Sequence, residues 1–143
     1  NMSVGVNVAL QLLAMASHAL AADYDIEVIE AHHRHKIDAP SGTALALADA
    51  AARGKSLDPA TSFRLAREGM TGERPRDEIG VVALRGGDAV GEHTVMLIGA
   101  GERVELTHRA TSRDCLASGA IHAAAWLAGR KPGLYSMRDV LFG

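Results

Sequence analysis

Between Glu30 and Ala48 the sequence reads EAHHRHKIDAPSGTALALA, with His32, His33, Arg34, His35 and Lys36 in consecutive positions. Histidine is the side chain that titrates near neutral pH, so a run this rich in it suits proton transfer better than surface solvation. The chain then passes through Asp38-Ala39-Pro40-Ser41-Gly42-Thr43 into an alanine- and leucine-rich helix former. Pro40 keeps Ala39 out of the helical region, and Ser41 is a good N-cap. The first N–H groups of a helix lack intrahelical partners and lie at the positive end of its dipole. The backbone of Gly42 and Thr43 therefore offers a place for a carboxylate or phosphate, which glycine lets approach closely and the Thr43 hydroxyl can also bond. With Lys36 supplying a full charge, the segment predicts a site for a small dianion that exchanges protons.

Metal binding is the rival chemistry, because His33 and His35 share a side of an extended chain. No cysteine lies nearby, Arg34 and Lys36 repel a dication, and Glu30 and Asp38 fit no familiar ligand spacing, so no metal ligand is assigned. The isolated His18, His93, His108 and His122 read as surface or satisfied core residues. Cys115 reads as a small buried helix residue rather than a nucleophile.

The elements that must hold the cluster follow from periodicity. YDIEVIEAH, Tyr24 to His32, is short and β-branched and reads as a strand that delivers the histidines at its C-terminal end. Gly42 to Ala52 predicts a helix, and an earlier one is capped by Ser3 with Val8, Leu12, Met15 and Ala19 on one face. Gly54 to Glu78 lacks clear periodicity and reads as a long, partly ordered loop. IGVVALR, AVGEHTVMLIG and ERVELTHRA are strand-like and separated by Gly86-Gly87-Asp88 and Gly99-Ala100-Gly101, which predicts an antiparallel meander. A helix follows from Ser112 to Gly129, stopped by Lys131-Pro132-Gly133, with a short one at Met137 to Leu141. The order predicts an α+β domain: a mostly antiparallel or mixed sheet of about four strands, helices on one face, and a long loop. VVAL and VMLI are apolar on both faces, so the other face is expected to serve oligomerisation.

Composition sets the outer bounds. The 143 residues suit one core, and 48% apolar with 22% charged excludes a disordered or collagen-like chain. A formal net charge of −2 with only two Phe, two Tyr and one Trp argues against a nucleic-acid partner. No stretch is long and apolar enough to span a bilayer, so no membrane partner is expected. A single cysteine and no signal-peptide pattern predict a reducing, cytoplasmic setting, and the opening Asn1-Met2-Ser3 reads as mid-protein, as in a fragment.

EAHHRHKIDAPSGTA resembles the signature of the dihydrodipicolinate (4-hydroxy-tetrahydrodipicolinate) reductases, and NMSVGVN, REGMTGER, GEHTVML, ERVELTHRATSR and GLYSMRDVL resemble further family segments in the same order. The resemblance spans essentially the whole chain. It implies a homotetrameric enzyme of lysine (diaminopimelate) biosynthesis that reduces a cyclic imine dicarboxylate with NADH or NADPH, delivering hydride to C4 of the dehydrated substrate. It implies acid–base chemistry at His32, proton donation by Lys36, and substrate contacts from His33, Lys36, Gly42 and Thr43. It further implies that Asn1 and Met2 approach the nicotinamide, although an aromatic residue is common at the Met2 position. The family's Gly-rich phosphate loop has no counterpart here, since no strand–turn–helix carries G-x-G-x-x-G. Residues 1–143 are thus expected to be the C-terminal substrate-binding and tetramerisation domain, inactive alone, with the dinucleotide-binding domain absent from this chain. The competing expectations are a stand-alone metal hydrolase and a non-catalytic assembly domain.

Overall fold

The computed structural model describes residues 1–20 and 23–143. The elements in order are α1 (Val4–Ala19), β1 (Asp25–His32), α2 (Gly42–Gly54), α3 (Pro59–Ser62), β2 (Phe63–Arg64), β3 (Ile79–Arg85), β4 (Gly91–Ile98), β5 (Arg103–Ala110), α4 (Asp114–Leu127) and α5 (Met137–Phe142). The strands form one mixed sheet in the order β2-β3-β1-β4-β5. β1 runs parallel to β3 and antiparallel to β4, and β4 and β5 form the hairpin expected across Gly99-Ala100-Gly101.

The expected meander is therefore only half right. β3 and β4 are not neighbours, because β1 lies between them. Gly86-Gly87-Asp88, instead of closing a hairpin, crosses the end of β1: Gly86 N–H donates to the His32 carbonyl, and the Arg34 and His33 N–H groups donate to the carbonyls of Gly87 and Ala89. The sheet also has five strands rather than about four, the extra one being β2, whose two residues are too short to show a period.

One face of the sheet is buried under α1 and α2. The core gathers Ile26 and Val28 of β1, Ile79 and Val81 of β3, Val95 and Leu97 of β4, Leu13 of α1, and Leu47, Ala48, Ala51 and Ala52 of α2. The alanine-rich seam of α2 lets the two helices approach closely, and Gly54 completes it: a methyl there would lie 2.7 Å from the Ala14 carbonyl oxygen. The opposite face carries Ile29, Val82, Leu84 and Met96 around its middle, with Val82 and Leu84 exposed at 40% and 52%. The long segment before β3 is pinned rather than free. Arg67 bonds Glu27 and Glu78, and Arg74 bonds Asp25, Glu27 and the carbonyls of Ile26 and Glu78.

Candidate active site

The inward side of β1 alternates Ile26, Val28, Glu30, so a carboxylate takes a core position two residues before His32. Glu30 is 0% exposed. A buried carboxylate needs partners, and the sheet register brings one within reach by setting Arg85 of β3 beside His32, while it places His93 of β4 opposite Glu30. Arg85 grips Glu30 with both terminal nitrogens, 2.8 Å to Oε2 and 2.9 Å to Oε1. Ser41 N–H donates to Oε1 at 2.9 Å, and His32 Nδ1 lies 2.6 Å from Oε2. Burial alone would raise the Glu30 carboxyl, but the bonds from Arg85, His32 and Ser41 outweigh it and hold the group below the ordinary carboxylate range. An ionised Glu30 only accepts, so the proton of that short contact belongs to His32 Nδ1. The His32 ring turns its Nε2 toward Gly91, where a side chain would meet it at 3.1 Å.

His93 is 4% exposed and stands edge-on to His32, with ring centroids 5.2 Å apart. Its Nε2 lies 3.1 Å from Ser41 Oγ, which accepts the capping bond from Ala44 N–H. Burial above all, with His32 adding to it, pushes His93 down to about 4, so this ring is neutral at physiological pH. Burial also lowers His108, its cross-strand neighbour on β5. Among the described residues, Nδ1 of His93 and of His108 has no hydrogen-bond partner.

The start of α2 forms the anion half of the site. Ser41 N–H is committed to Glu30 and Ala44 N–H to the cap, which leaves the N–H groups of Gly42 and Thr43 without a partner among the described residues. Space is open over Gly42. Thr43 Oγ1 accepts from Asn1 Nδ2 at 2.8 Å, so its own proton is available to a ligand. Lys36 Nζ contacts both Asp38 carboxylate oxygens at 2.7 and 2.8 Å, a partner that an incoming carboxylate must displace or share.

Lys36 and Thr43 open on a cleft of about 550 Å³, lined also by Asn1, His32, His33 and His35, while Gly42 lies outside its lining. β1 ends at His32, as expected, and a turn follows, so that His33, His35 and Lys36 all line the cleft. Arg34 is exposed. Met2 lies outside the lining, its backbone packed on Gly119 of α4 and its side chain exposed. His18 and His122 are exposed, in keeping with a surface reading, but His93 and His108 belong to the cleft. Cys115 is half-buried on the cleft wall rather than in the core. Glu30 and Arg85 were missed as site residues, yet each is the charged member of an inward-facing apolar alternation, Ile26-Val28-Glu30 and Ile79-Val81-Ala83-Arg85. Among the described residues, no group of three His, Cys, Asp or Glu side chains is placed to hold a metal ion.

Comparison with known proteins gives the site its family. The sequence model for "Dihydrodipicolinate reductase, C-terminus" matches residues 5–141. The chain belongs to the dihydrodipicolinate reductase C-terminal domain family. It is 57% identical over 141 residues to the 4-hydroxy-tetrahydrodipicolinate reductases of Thiobacillus denitrificans and Anaeromyxobacter dehalogenans, covering 99% of this chain and 53% and 52% of those proteins. It therefore spans about half the length of the curated relatives it matches. A solved structure of dipicolinate-bound dihydrodipicolinate reductase from Paenisporosarcina sp. TG-14 superposes with a TM-score of 0.70 at 28% identity, over 99% of this chain and 52% of that one. The mixed α+β sheet with its helical layer is the fold of this reductase domain.

Proposed function

We propose that this chain forms the substrate site and oligomer interface of a 4-hydroxy-tetrahydrodipicolinate reductase, which converts 4-hydroxy-tetrahydrodipicolinate to tetrahydrodipicolinate in lysine (diaminopimelate) biosynthesis. The observation that carries the proposal is the convergence on one cleft of a proton carrier, His32, and of Lys36 and Thr43, the latter in the first turn of a helix whose Gly42 and Thr43 N–H groups have no partner among the described residues. Neither half is specific alone; together they suit a dicarboxylate whose ring gains a proton. The dipicolinate named with the Paenisporosarcina structure is a dicarboxylate of that shape.

The reductant implied is NADH or NADPH, and the described residues fit it only at one end. Neither strand-to-helix passage at the cleft, from β1 to α2 or from β5 to α4, carries a glycine cradle for pyrophosphate; the first is filled by histidines and cations and the second is Thr111-Ser112-Arg113. Asn1, at the lip, with Met2 beside it, would meet the nicotinamide, while the rest of the nucleotide is held outside these residues. The substrate's 4-hydroxyl leaves as water, and the nicotinamide, when bound, supplies the hydride to C4 of the dehydrated ring. The chain's own residues do the remainder. One substrate carboxylate sits on the Gly42 and Thr43 N–H groups with Lys36 and the Thr43 hydroxyl, and His33 contacts the substrate from the adjoining wall. His32 or Lys36 delivers the proton as negative charge develops on the ring nitrogen, a step that a positioned acid accelerates by about 10²–10⁴. The apolar open face supports assembly as a homotetramer through the sheet, and the lone cysteine fits a cytoplasmic protein.

The test is steady-state reduction of the cyclic substrate by either nucleotide in the intact protein. His32→Gln is expected to lower kcat with little change in dicarboxylate binding, and His33→Gln to raise KM. An intact protein without reductase activity, or two variants indistinguishable from the parent, would refute the assignment.

A further inference from the structure

Resting on that function, we propose that Glu30 is a positioning residue that sets the proton tautomer of His32 and, through the same carboxylate, fixes the start of the anion-binding helix. Its two oxygens divide the work. Oε2 faces His32 Nδ1 at 2.6 Å, and Oε1 receives Ser41 N–H at 2.9 Å, while Arg85 bridges both. Because Arg85 keeps this buried group ionised, Oε2 accepts and His32 must hold a proton on Nδ1. Nε2, on the cleft side, is then bare in the neutral ring and becomes the donor only when the ring takes up a second proton. Without that constraint the ring could place its single proton on Nε2, leaving no basic nitrogen in the cleft. Arg85 has a second function in this arrangement: it neutralises Glu30, so that an anionic substrate meets no uncompensated negative charge below the site. It also donates to the Asp38 carbonyl at 2.7 Å, tying the loop that carries Lys36 to the same carboxylate. One buried residue thus sets both the proton carrier and the cradle in fixed relation.

Glu30→Gln separates the two roles. The glutamine carbonyl can still accept from Ser41 N–H and one Arg85 nitrogen, while its amide gives up the bond from the other Arg85 nitrogen and donates toward His32 Nδ1, which must then become the acceptor, and the ring proton moves to Nε2. Outer partners of this kind typically change activity by about 10–100-fold, and a wrong-tautomer substitution in the serine-protease triad by about 10⁴. The expected result is a loss of kcat of roughly 100-fold or more in the intact protein, an altered pH–rate profile, and an affinity for pyridine-2,6-dicarboxylate within about threefold of the parent. Nitrogen-15 NMR of the histidine rings reads the cause directly. The parent should show a protonated Nδ1 and a bare Nε2 at His32, and Glu30→Gln the reverse. If Glu30→Gln does not fold, the parent spectrum alone decides, and a neutral His32 protonated on Nε2 would overturn the proposal. Equal proportional losses of kcat and dicarboxylate affinity would also overturn it, reducing Glu30 to a structural residue. A parent protein that showed the expected tautomer but no reductase activity would count against the function and leave this positioning role standing.

Discussion

Gly119→Ala puts intrinsic helix preference and packing in direct opposition. Alanine is favoured over glycine inside a helix by about 1 kcal/mol, so α4 considered alone should gain stability. In the folded chain the added methyl would lie 1.8 Å from the Met2 carbonyl oxygen and 2.8 Å from its carbonyl carbon. Carbon atoms settle at about 3.5–4.0 Å, so the backbone of Met2 must retreat. It has little room to do so. Ser3 is 1% exposed and caps α1 through Val6 N–H, while Asn7 Nδ2 donates to the carbonyls of Asn1 and Ser3 at 2.9 and 2.8 Å. Overpacking costs about 1–3 kcal/mol, and an approach of 1.8 Å to backbone belongs to the upper part of that range, about 2–3 kcal/mol, which exceeds the propensity gain and leaves a net loss of about 1–2 kcal/mol. In a chain of this size that is roughly 3–6 °C in Tm. The displacement reaches the site through Asn1, whose side chain bonds Thr43 Oγ1, so dicarboxylate affinity should fall as well. Calorimetric melting and dicarboxylate titration check both effects, with Ser118→Ala, exposed on the same helix, as the control for propensity. Gly119→Ala melting at or above the parent, with unchanged affinity, would refute the packing of Met2 on α4.

Two further outcomes follow from burial. His93 titrates near 4 when folded and near 6.5 when unfolded, so between those values the unfolded chain binds a proton that the folded chain refuses, and stability falls as pH drops through that window. At about 1.36 kcal/mol per unit the full loss is about 3 kcal/mol, and His93→Gln should flatten that part of the curve in urea melts at pH 7, 5.5 and 4.5; parallel curves for parent and variant would count against it. Val82→Glu places a charge on the open sheet face and should split the proposed tetramer to smaller species in light scattering without lowering monomer helicity, whereas an unchanged mass would move the interface elsewhere.

The legible parts of this protein are those whose signals are local. The β1–α2 passage combines a β-branched run, a histidine cluster and a Pro-Ser cap within a short span, and each signal points to the same end of the same strand. α1, α4 and the β4–β5 hairpin are likewise set by capping, spacing and turn chemistry close at hand. What the sequence hid is long-range pairing. Gly86-Gly87-Asp88 has the composition of a hairpin turn, and only the competing parallel pairing of β1 with β3 makes it a crossover. The surroundings of Glu30 suffer the same fate, since Arg85, which grips it, and His93, which stands opposite it, are 55 and 63 positions away in sequence and reach it only through the register. A single histidine in β4 carries no mark of its neighbours; a polar residue on the apolar, inward side of a strand is the mark that was available.

The central claim is that the start of α2 and Lys36 capture a carboxylate, and titration with pyridine-2,6-dicarboxylate followed by backbone amide NMR tests it most directly. The expected result is weak binding with the largest shifts at Gly42 and Thr43, and a loss of about tenfold or more on Lys36→Ala, the equivalent of the 1.5–3 kcal/mol that a charge-assisted hydrogen bond contributes. Absence of binding at millimolar ligand, or binding that leaves Gly42 and Thr43 undisturbed and is indifferent to Lys36→Ala, would contradict it.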